Sequence, residues 1–450
     1  MERSGKKEAG NTESGKAVHN AAWIVVCKVI QAVLGLVVTM LSARFLGPSG
    51  YGLITYTASV VAFAAPLMYL GFTSVLVQEL IAHPEKEGET LGTAIFSGLI
   101  SGVLCIGGAC AFVAAANRTR EALIVCALYS TILLFQGMEM IIYWFQARLL
   151  SKYTSLISLA AYVTVSAYRI YLLASQKSIY WFAVSNSLDY LLIAVMSLVF
   201  YRKLGGRRLT FSREAFSRMF AKSRYYIISD LMVTVFAQTD RIMINLMIGD
   251  SETGFYSAAM SCAMMTGFVF TAVIDSFRPL IFGNRLEDGT AFRTNMRRLY
   301  SVVIWLSLLQ SVFITVFSGL IVRILYGAAY APAAGTLRIV VWYTTFSYLG
   351  SVRNIWLLAE KKQKYLLPIN AAGALANIVL NSLLIPVLGI NGAALASLVT
   401  QFFTNVVTGF MIPAIRENNR LMIESLSPGI FFGVCGKTFE VVLKKRRQRY

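Results

Sequence analysis

About twelve stretches of this 450-residue chain are each long and apolar enough to cross a bilayer, and that repetition leaves few folds open. A spanning helix needs about 20 predominantly apolar residues. Inside hydrocarbon only helices or a closed barrel satisfy every backbone group. The stretches fall at about 20–45, 51–80, 90–116, 121–147, 153–175, 178–201, 224–248, 252–277, 298–325, 332–358, 364–388 and 392–416. These lengths predict helices, not barrel strands of roughly ten residues. Only 14% of the residues are charged, against roughly 25% in a soluble domain. The expectation is an all-α integral membrane protein with about twelve transmembrane helices. The first stretch does not read as a cleaved signal peptide, because its leader and its apolar run are long and residues 44–48 offer no small-residue cleavage site.

The formal net charge of +19 lies between the apolar stretches, a distribution that membrane topology explains better than nucleic-acid binding. One set of loops carries Arg148 and Lys152, then a run from Arg202 to Arg224, then Arg285, Arg293, Arg297 and Arg298, then Lys361, Lys362 and Lys364. The alternate set holds only Arg44, Arg118, Arg120 and Lys177. Both basic termini fall with the first set, which predicts cytoplasmic ends and an even number of spans. The loop around His83 is ambiguous, with Glu85, Glu87 and Glu89 against Lys86. The predicted organisation is a disordered cytoplasmic leader (1–18), a six-helix lobe (19–201), a basic cytoplasmic linker (202–223), a second six-helix lobe (224–416) and a basic tail (417–450). Within the tail, residues 430–442 read as a surface helix beside anionic lipid.

The chain offers little to an enzyme. Its two histidines, His19 and His83, stand apart, its six cysteines are scattered without paired spacing, and no phosphate-binding Gly-Lys loop is present. No catalytic residue, metal site or cofactor is expected.

Charges inside the spans are the functional clue, since each costs roughly 2.5–3.5 kcal/mol at the bilayer centre on insertion scales. An internal repeat helps to sort them. Gly47, Ser49 and Gly52 align with Gly249, Ser251 and Gly254 at an offset of 202 residues (249 − 47). At about 100° per residue, Lys28, Gln31, Gly35, Thr39 and Ser42 share one face of the first span. Asp230, Thr234, Gln238, Arg241 and Asn245 do the same on the seventh. Polar stripes must face protein or water. Arg353 and Arg338 share a face of the tenth span, although Arg338 is close enough to an end to snorkel. Arg169 and Asp189, in the fifth and sixth spans, are either functional or one buried ion pair. Glu139 shares a face of the fourth span with Tyr143 and Gln146, whereas Asp275 and Arg278 read as interface anchors. Asn370, Asn377 and Asn381 align on the eleventh span, where asparagines often bond helix to helix. Pro66 and Pro368 are expected to weaken their helices.

Ala43-Arg-Phe-Leu-Gly-Pro-Ser-Gly-Tyr-Gly52 and Tyr69-Leu-Gly-Phe72 resemble the segment after the first span and the end of the second in the polysaccharide flippase family. Gln238-Thr-Asp-Arg241 through Gly254-Phe-Tyr-Ser-Ala-Ala259 resembles its seventh-to-eighth-span signature. Leu325-Tyr-Gly and Tyr330 with Leu337-Arg338 fit its approach to the tenth span. Asn377-Ile-Val-Leu-Asn381, Ile385-Pro386 and Gly389-Ile-Asn-Gly-Ala-Ala394 complete the order. The family belongs to the multidrug/oligosaccharidyl-lipid/polysaccharide exporter superfamily. The resemblance implies a V-shaped pair of six-helix lobes with alternating access in the plasma membrane. It also implies a cargo of undecaprenyl-pyrophosphate-linked oligosaccharide, with membrane lipid and other polysaccharide assembly proteins as partners. It carries a substrate-binding role to Arg241, Arg44 and Arg338. The charge pattern alone adds Lys28, Arg353 and Arg169 as substrate contacts, and Asp230, Glu139 and Asp189 as candidates for coupling to an H⁺ or Na⁺ gradient. The competing readings are an ion-coupled multidrug exporter and a membrane glycan polymerase or ligase.

Overall fold

In a computed structural model of the chain, the backbone is described for residues 2–116, 119–287 and 289–433. Side chains are described over the same ranges apart from 2–26, 28, 29 and 284–287. No strand occurs among the described residues. Eight described helices are long and apolar enough to cross a membrane, or nine if the pair Asp250–Met264 and Gly267–Gly283, bent by 40°, is one span. One of the eight, Ile30–Tyr69, is broken at Gly47 and holds the first two predicted spans. Helices Arg213–Met247 and Ala333–Ala359 have the length of a span. They are too polar to qualify by apolarity because they carry Asp230, Asp240 and Arg241, and Arg338 and Arg353, respectively. Together these give the twelve helical passes that the apolar pattern predicts.

Four of the turns that join an odd-numbered pass to the next one use the same backbone device. Gly47 (φ 69°, ψ 175°), Gly249 (φ 115°, ψ −174°), Gly327 (φ 89°, ψ 176°) and Gly389 (φ 58°, ψ −138°) combine a positive φ with an extended ψ. Only glycine adopts that combination readily. The next pass begins within one residue of Gly47, Gly249 and Gly389, and after Gly327 a 3-10 turn, Ala328–Tyr330, leads to the helix that begins at Ala333. Gly47 and Gly249 are the two repeat-related glycines, so the sequence repeat corresponds to a repeated turn. The fifth-to-sixth turn instead has Gln176 at φ 49°.

By packing, the chain divides into two compact units, Met1–Thr234 and Val235–Tyr450, and the division falls within the helix Arg213–Met247. The first helix begins at Glu2, so the leader expected to be disordered is helical in backbone. No proline interrupts it before Pro48. The predicted fourth span is three short helices, Arg120–Ser130, Ile132–Glu139 and Ile142–Ala147. Pro368 does not break the eleventh span, because it lies in the first turn of Leu366–Leu388, where its missing N–H has no helical partner to lose. Pro66 lies three residues before the end of its helix at Tyr69.

The first unit is packed around Met68, Phe72, Leu91, Trp144, Tyr201 and Met219. Trp144 meets Tyr201 edge-on at 4.8 Å between ring centres. Part of the basic linker is bonded to this core. Thr210 N–H donates to the Gly88 carbonyl at 3.3 Å, Ser212 N–H to Thr93 Oγ1 at 2.9 Å, and the Tyr201 hydroxyl to the Arg207 carbonyl at 2.6 Å. A Cβ on Gly92 would sit 2.5 Å from the Thr210 backbone, so that close approach requires glycine. One acid of the ambiguous loop, Glu87, and Glu79 before it meet basic partners here. Glu79 pairs with Arg218 at 2.9 Å and Lys222 at 2.6 Å, and Glu87 pairs with Arg148 at 2.7 Å. Burial pushes the Glu79 carboxyl up, but the hydrogen bonds and charges of Lys222 and Arg218 outweigh it and hold the carboxyl below its ordinary range.

The second unit is packed around Phe270, Leu299, Val303, Val352 and Trp356. Polar side chains join its helices as well: Ser311 Oγ is 2.9 Å from Thr345 Oγ1 and donates to the Val341 carbonyl at 3.2 Å. The twelfth pass contains a π-helical turn, Phe403–Val407, and ends at Met411, short of the predicted 416. The short helix Arg416–Glu424 then docks on this unit. Tyr300 donates to Asn418 Oδ1 at 2.7 Å, Asn419 Nδ2 donates to the Val406 carbonyl at 2.7 Å, and Arg293 pairs with Glu417 at 3.1 Å. Residues 434–450, with most of the expected surface helix 430–442, lie outside the described residues.

Candidate functional site

The first unit contains two cavities, of about 370 Å³ and 200 Å³, which share Tyr69 and Gln136 in their walls. The larger is apolar on one side, with Ala58, Val61, Ala62 and Ala65, because small residues there leave space. Its polar side is Tyr69, Tyr129, Gln136, Tyr190, Asp230 and Thr234. The smaller is lined by Glu139, Tyr143 and Gln146, the face of the fourth span that helical spacing predicts. Among the described residues, neither cavity has a lysine or arginine in its wall. Two polar atoms of this region are buried without a protein partner, Gln136 Oε1 and Asp189 Oδ1.

Arg169 does not form an ion pair with Asp189, one of the two uses the sequence left open. Its Nε donates to Ser185 Oγ at 3.0 Å and its Nη2 to Asn186 Oδ1 at 2.8 Å. Those acceptors lie one turn before Asp189 on the sixth pass. They are themselves fixed by hydrogen bonds to the Phe182 carbonyl, which leaves the guanidinium engaged before it reaches the carboxylate.

The stripe of the seventh pass divides into parts with different uses. Asp230 and Thr234 line the larger cavity. Arg241 Nη1 donates to Gln238 Oε1 at 2.9 Å, one turn away. Asn245 Nδ2 donates to Asp250 Oδ1 at 2.7 Å and to Thr253 Oγ1 at 3.2 Å, which closes the Gly249 turn. On the stripe of the first pass, Gly35 admits the Tyr162 hydroxyl closer than a Cβ would allow. The Lys28 side chain lies outside the described residues. Arg44 is exposed.

The remaining basic candidates take local partners in the second unit. Arg338 donates to Ser318 Oγ at 2.9 Å. Arg353, which the charge pattern assigns to a cavity, is only 3% exposed and lines neither cavity. Its Nη1 donates at 2.6 Å to the Thr404 carbonyl, inside the π-helical turn. A π turn displaces carbonyls from the regular helical ladder, and the guanidinium takes up one of them. Asp275 and Arg278 pair at 3.2 Å on an exposed face, as interface anchors do.

The main group that residue-by-residue reading left out of the site is built around Asp240. Its carboxylate is 5% exposed and accepts from the Tyr256 hydroxyl at 2.5 Å, Ser397 Oγ at 2.5 Å and Asn381 Nδ2 at 2.7 Å. Asn381 also donates to Asn377 Oδ1 at 3.1 Å, and Asn377 donates to Ser397 Oγ at 3.2 Å. The asparagine stripe of the eleventh pass is therefore interhelical, but what it holds is a charge. The sequence contained a signal for this: Asp240 falls outside the polar stripe of its own helix, so it must find its partners on another.

The family model described as "Polysaccharide biosynthesis protein" matches residues 17–283, more than half of the chain. The chain belongs to that family. A second model, described as MatE, matches residues 226–383. Among curated proteins, an uncharacterized membrane protein of Methanocaldococcus jannaschii is 24% identical over 273 residues, 56% of this chain. That match spans about half, 54%, of the relative's length. A Shigella flexneri protein with the provisional name O-antigen transporter is 20% identical over 401 residues, 84% of this chain and 93% of its own. Among solved structures, the lipid II flippase MurJ in an inward closed conformation superposes with a TM-score of 0.69 at 15% identity, covering 90% of each chain. An inward-facing multidrug resistance MATE family transporter of the same superfamily gives 0.67 at 13% identity, over 88% of this chain and 96% of that one. The polysaccharide biosynthesis family member described here thus has the all-α, multi-span transporter fold of the multidrug/oligosaccharidyl-lipid/polysaccharide exporter superfamily.

Proposed function

We propose that this transporter moves a lipid-linked oligosaccharide, of the undecaprenyl-pyrophosphate type, from the cytoplasmic to the outer leaflet of the plasma membrane for surface polysaccharide synthesis. The observation that carries the reading is the match to the polysaccharide biosynthesis family over residues 17–283. The named relatives, a provisional O-antigen transporter and a lipid II flippase, agree with it. The physical task is to lower a barrier, since each unpaired sugar hydroxyl costs several kcal/mol in hydrocarbon. Alternating access would give the head group a polar route while the lipid tail stays in the bilayer.

In this reading Lys28, Arg241 and Arg44 are the cationic contacts for the pyrophosphate, through charge-assisted hydrogen bonds. Asp230, Glu139 and Asp189 are the groups through which an H⁺ or Na⁺ gradient would drive the cycle. Both termini face the cytoplasm, and other polysaccharide assembly proteins are partners on either side of the membrane.

The deciding experiment is transport of a fluorescently labelled undecaprenyl-pyrophosphate-linked oligosaccharide in proteoliposomes, read by accessibility to a membrane-impermeant quencher. Faster loss of protected signal than in empty liposomes is expected, and slowing in a Lys28→Ala, Arg241→Ala double variant that still reaches the membrane. Equal rates with and without protein would sink the assignment. One observation favours a second reading: cavities walled by tyrosines and carboxylates also suit organic cations. Efflux of cationic dyes from a drug-hypersensitive host, with no glycolipid movement, would decide for a multidrug exporter.

A further inference from the structure

The expectation of a basic cavity does not fit the walls of the first unit, and their chemistry indicates a different division of labour. The larger cavity holds about 370 Å³, within the roughly 300–1,000 Å³ of small-molecule sites. That is room for a sugar ring or two, not for a long glycan. Three tyrosines, Tyr69, Tyr129 and Tyr190, supply aromatic surface and hydroxyls to its wall. Gln136 supplies an amide whose Oε1 is buried without a partner. Asp230 supplies a carboxylate whose side chain has no hydrogen-bond or ion-pair partner among the described residues. Glu139, Tyr143 and Gln146 line the adjoining cavity.

A pyranose has the complementary surface. Its axial C–H face packs on an aromatic ring, and its hydroxyls donate to amide and carboxylate oxygens that have no other donor. Arg169 is held by Ser185 and Asn186 and is not among the described residues of either wall. An acidic sugar would bring a second carboxylate beside Asp230, where the described wall holds no cation, a like-charge encounter that strongly disfavours binding. A sugar carrying an ammonium group would gain a partner.

We infer that the cavity of the first unit is the head-group subsite, that it takes a neutral or amine-bearing pyranose at the leading end of the cargo, and that it rejects acidic sugars. This inference rests on the glycolipid reading above and adds to it the class of sugar and the residues that select it.

The test uses the full chain in nanodiscs and four ligands on one polyprenyl pyrophosphate. These are the bare lipid and the lipid carrying N-acetylglucosamine, glucosamine or glucuronic acid. Affinities are measured by competition against a labelled copy of the bare lipid. The two non-acidic heads should bind about tenfold or more tightly than the glucuronic head. Asp230→Asn should recover most of the loss for the glucuronic head. Tyr129→Ala and Tyr190→Ala should bring the non-acidic heads toward the bare lipid. If the variants lower protein yield, Gln136→Ala replaces them with the same expectation. Equal affinity for all heads, a preference for the glucuronic head, or an Asp230→Asn variant with unchanged discrimination would overturn the subsite while the bare lipid still binds. Failure to bind even the bare lipid would overturn the glycolipid reading itself, and this inference with it.

Discussion

Removing the Asp240 carboxylate should destabilise the second unit, and the hydrogen bonds around it allow the size to be worked out. Asp240→Ala takes the acceptor from three buried donors: the Tyr256 hydroxyl, Ser397 Oγ and Asn381 Nδ2. An unsatisfied buried donor costs about 1–3 kcal/mol, so a simple sum runs from roughly 3 to 9 kcal/mol. One of the three has somewhere else to turn: Asn381 Nδ2 keeps its bond to Asn377 Oδ1. Ser397 Oγ still accepts from Asn377, but its O–H loses its acceptor. The buried Tyr256 hydroxyl loses the one acceptor it has among the described residues. In membranes, moreover, the unfolded reference finds partners of its own, and measured pair energies average about 0.6 kcal/mol. The expected loss for Asp240→Ala is therefore about 2–4 kcal/mol. Asp240→Asn keeps the shape and one acceptor oxygen, and the two hydroxyls can reverse to accept from its new amide. Its loss should be only about 1 kcal/mol. Equilibrium unfolding of purified protein in mixed micelles, followed by tryptophan fluorescence, measures both. An Ala variant within about 0.5 kcal/mol of the parent, or an Asn variant as damaged as the Ala variant, would refute the network as a stabilising unit.

Four further outcomes follow from the backbone and the linker. Gly249→Ala and Gly389→Ala have open space around the new methyl but place alanine at φ 115° and 58° with an extended ψ, so each should lose about 1–3 kcal/mol in the same unfolding assay. Gly107→Ala, in a helix with nothing nearby, should gain about 0.5–1 kcal/mol. Gly92→Val drives a side chain into the Thr210 backbone, and it should speed tryptic cleavage after Arg207 and Arg208, whereas Gly107→Val should not. The Glu79 carboxyl is held below its ordinary range, so its contribution is fully present above the unfolded value near about 4.3 and is lost as the pH falls through the folded value. The stability gap between the parent and Glu79→Gln should therefore be open at pH 7 and close in acid. A gap that widens as the pH falls would reverse the sign and refute the pairing with Arg218 and Lys222.

The legibility of this chain depended on whether a feature was local. Apolar length alone gave the helical passes, since hydrocarbon admits no other use for twenty such residues. Arg213–Met247 and Ala333–Ala359 were read as apolar spans at 224–248 and 332–358, but their charges leave the helices too polar to qualify by apolarity. The repeat was readable too, because Gly47 and Gly249 meet the same backbone requirement on their own, without help from distant residues. The face shared by Glu139, Tyr143 and Gln146 followed from helical spacing and lines one cavity as a group.

What a charge is used for was a different matter. Lys or Arg in a span announces that some partner must exist, but helical spacing cannot say which partner on which helix. Arg353 meets a carbonyl released by a π turn 51 residues later, and Asp240 meets Asn381 and Ser397 more than 140 residues away. The linker composition likewise suggested only basic charge, while Gly88 and Gly92 decided that its backbone would be bonded to the helix they belong to. The sequence by itself determined the solvent this protein folds in, its number of helical passes and the glycine turns between them, because each of those is a property of neighbouring residues. Only the tertiary structure decided which buried charges are bound by protein and which face a cavity, because that depends on the distance between side chains far apart along the chain.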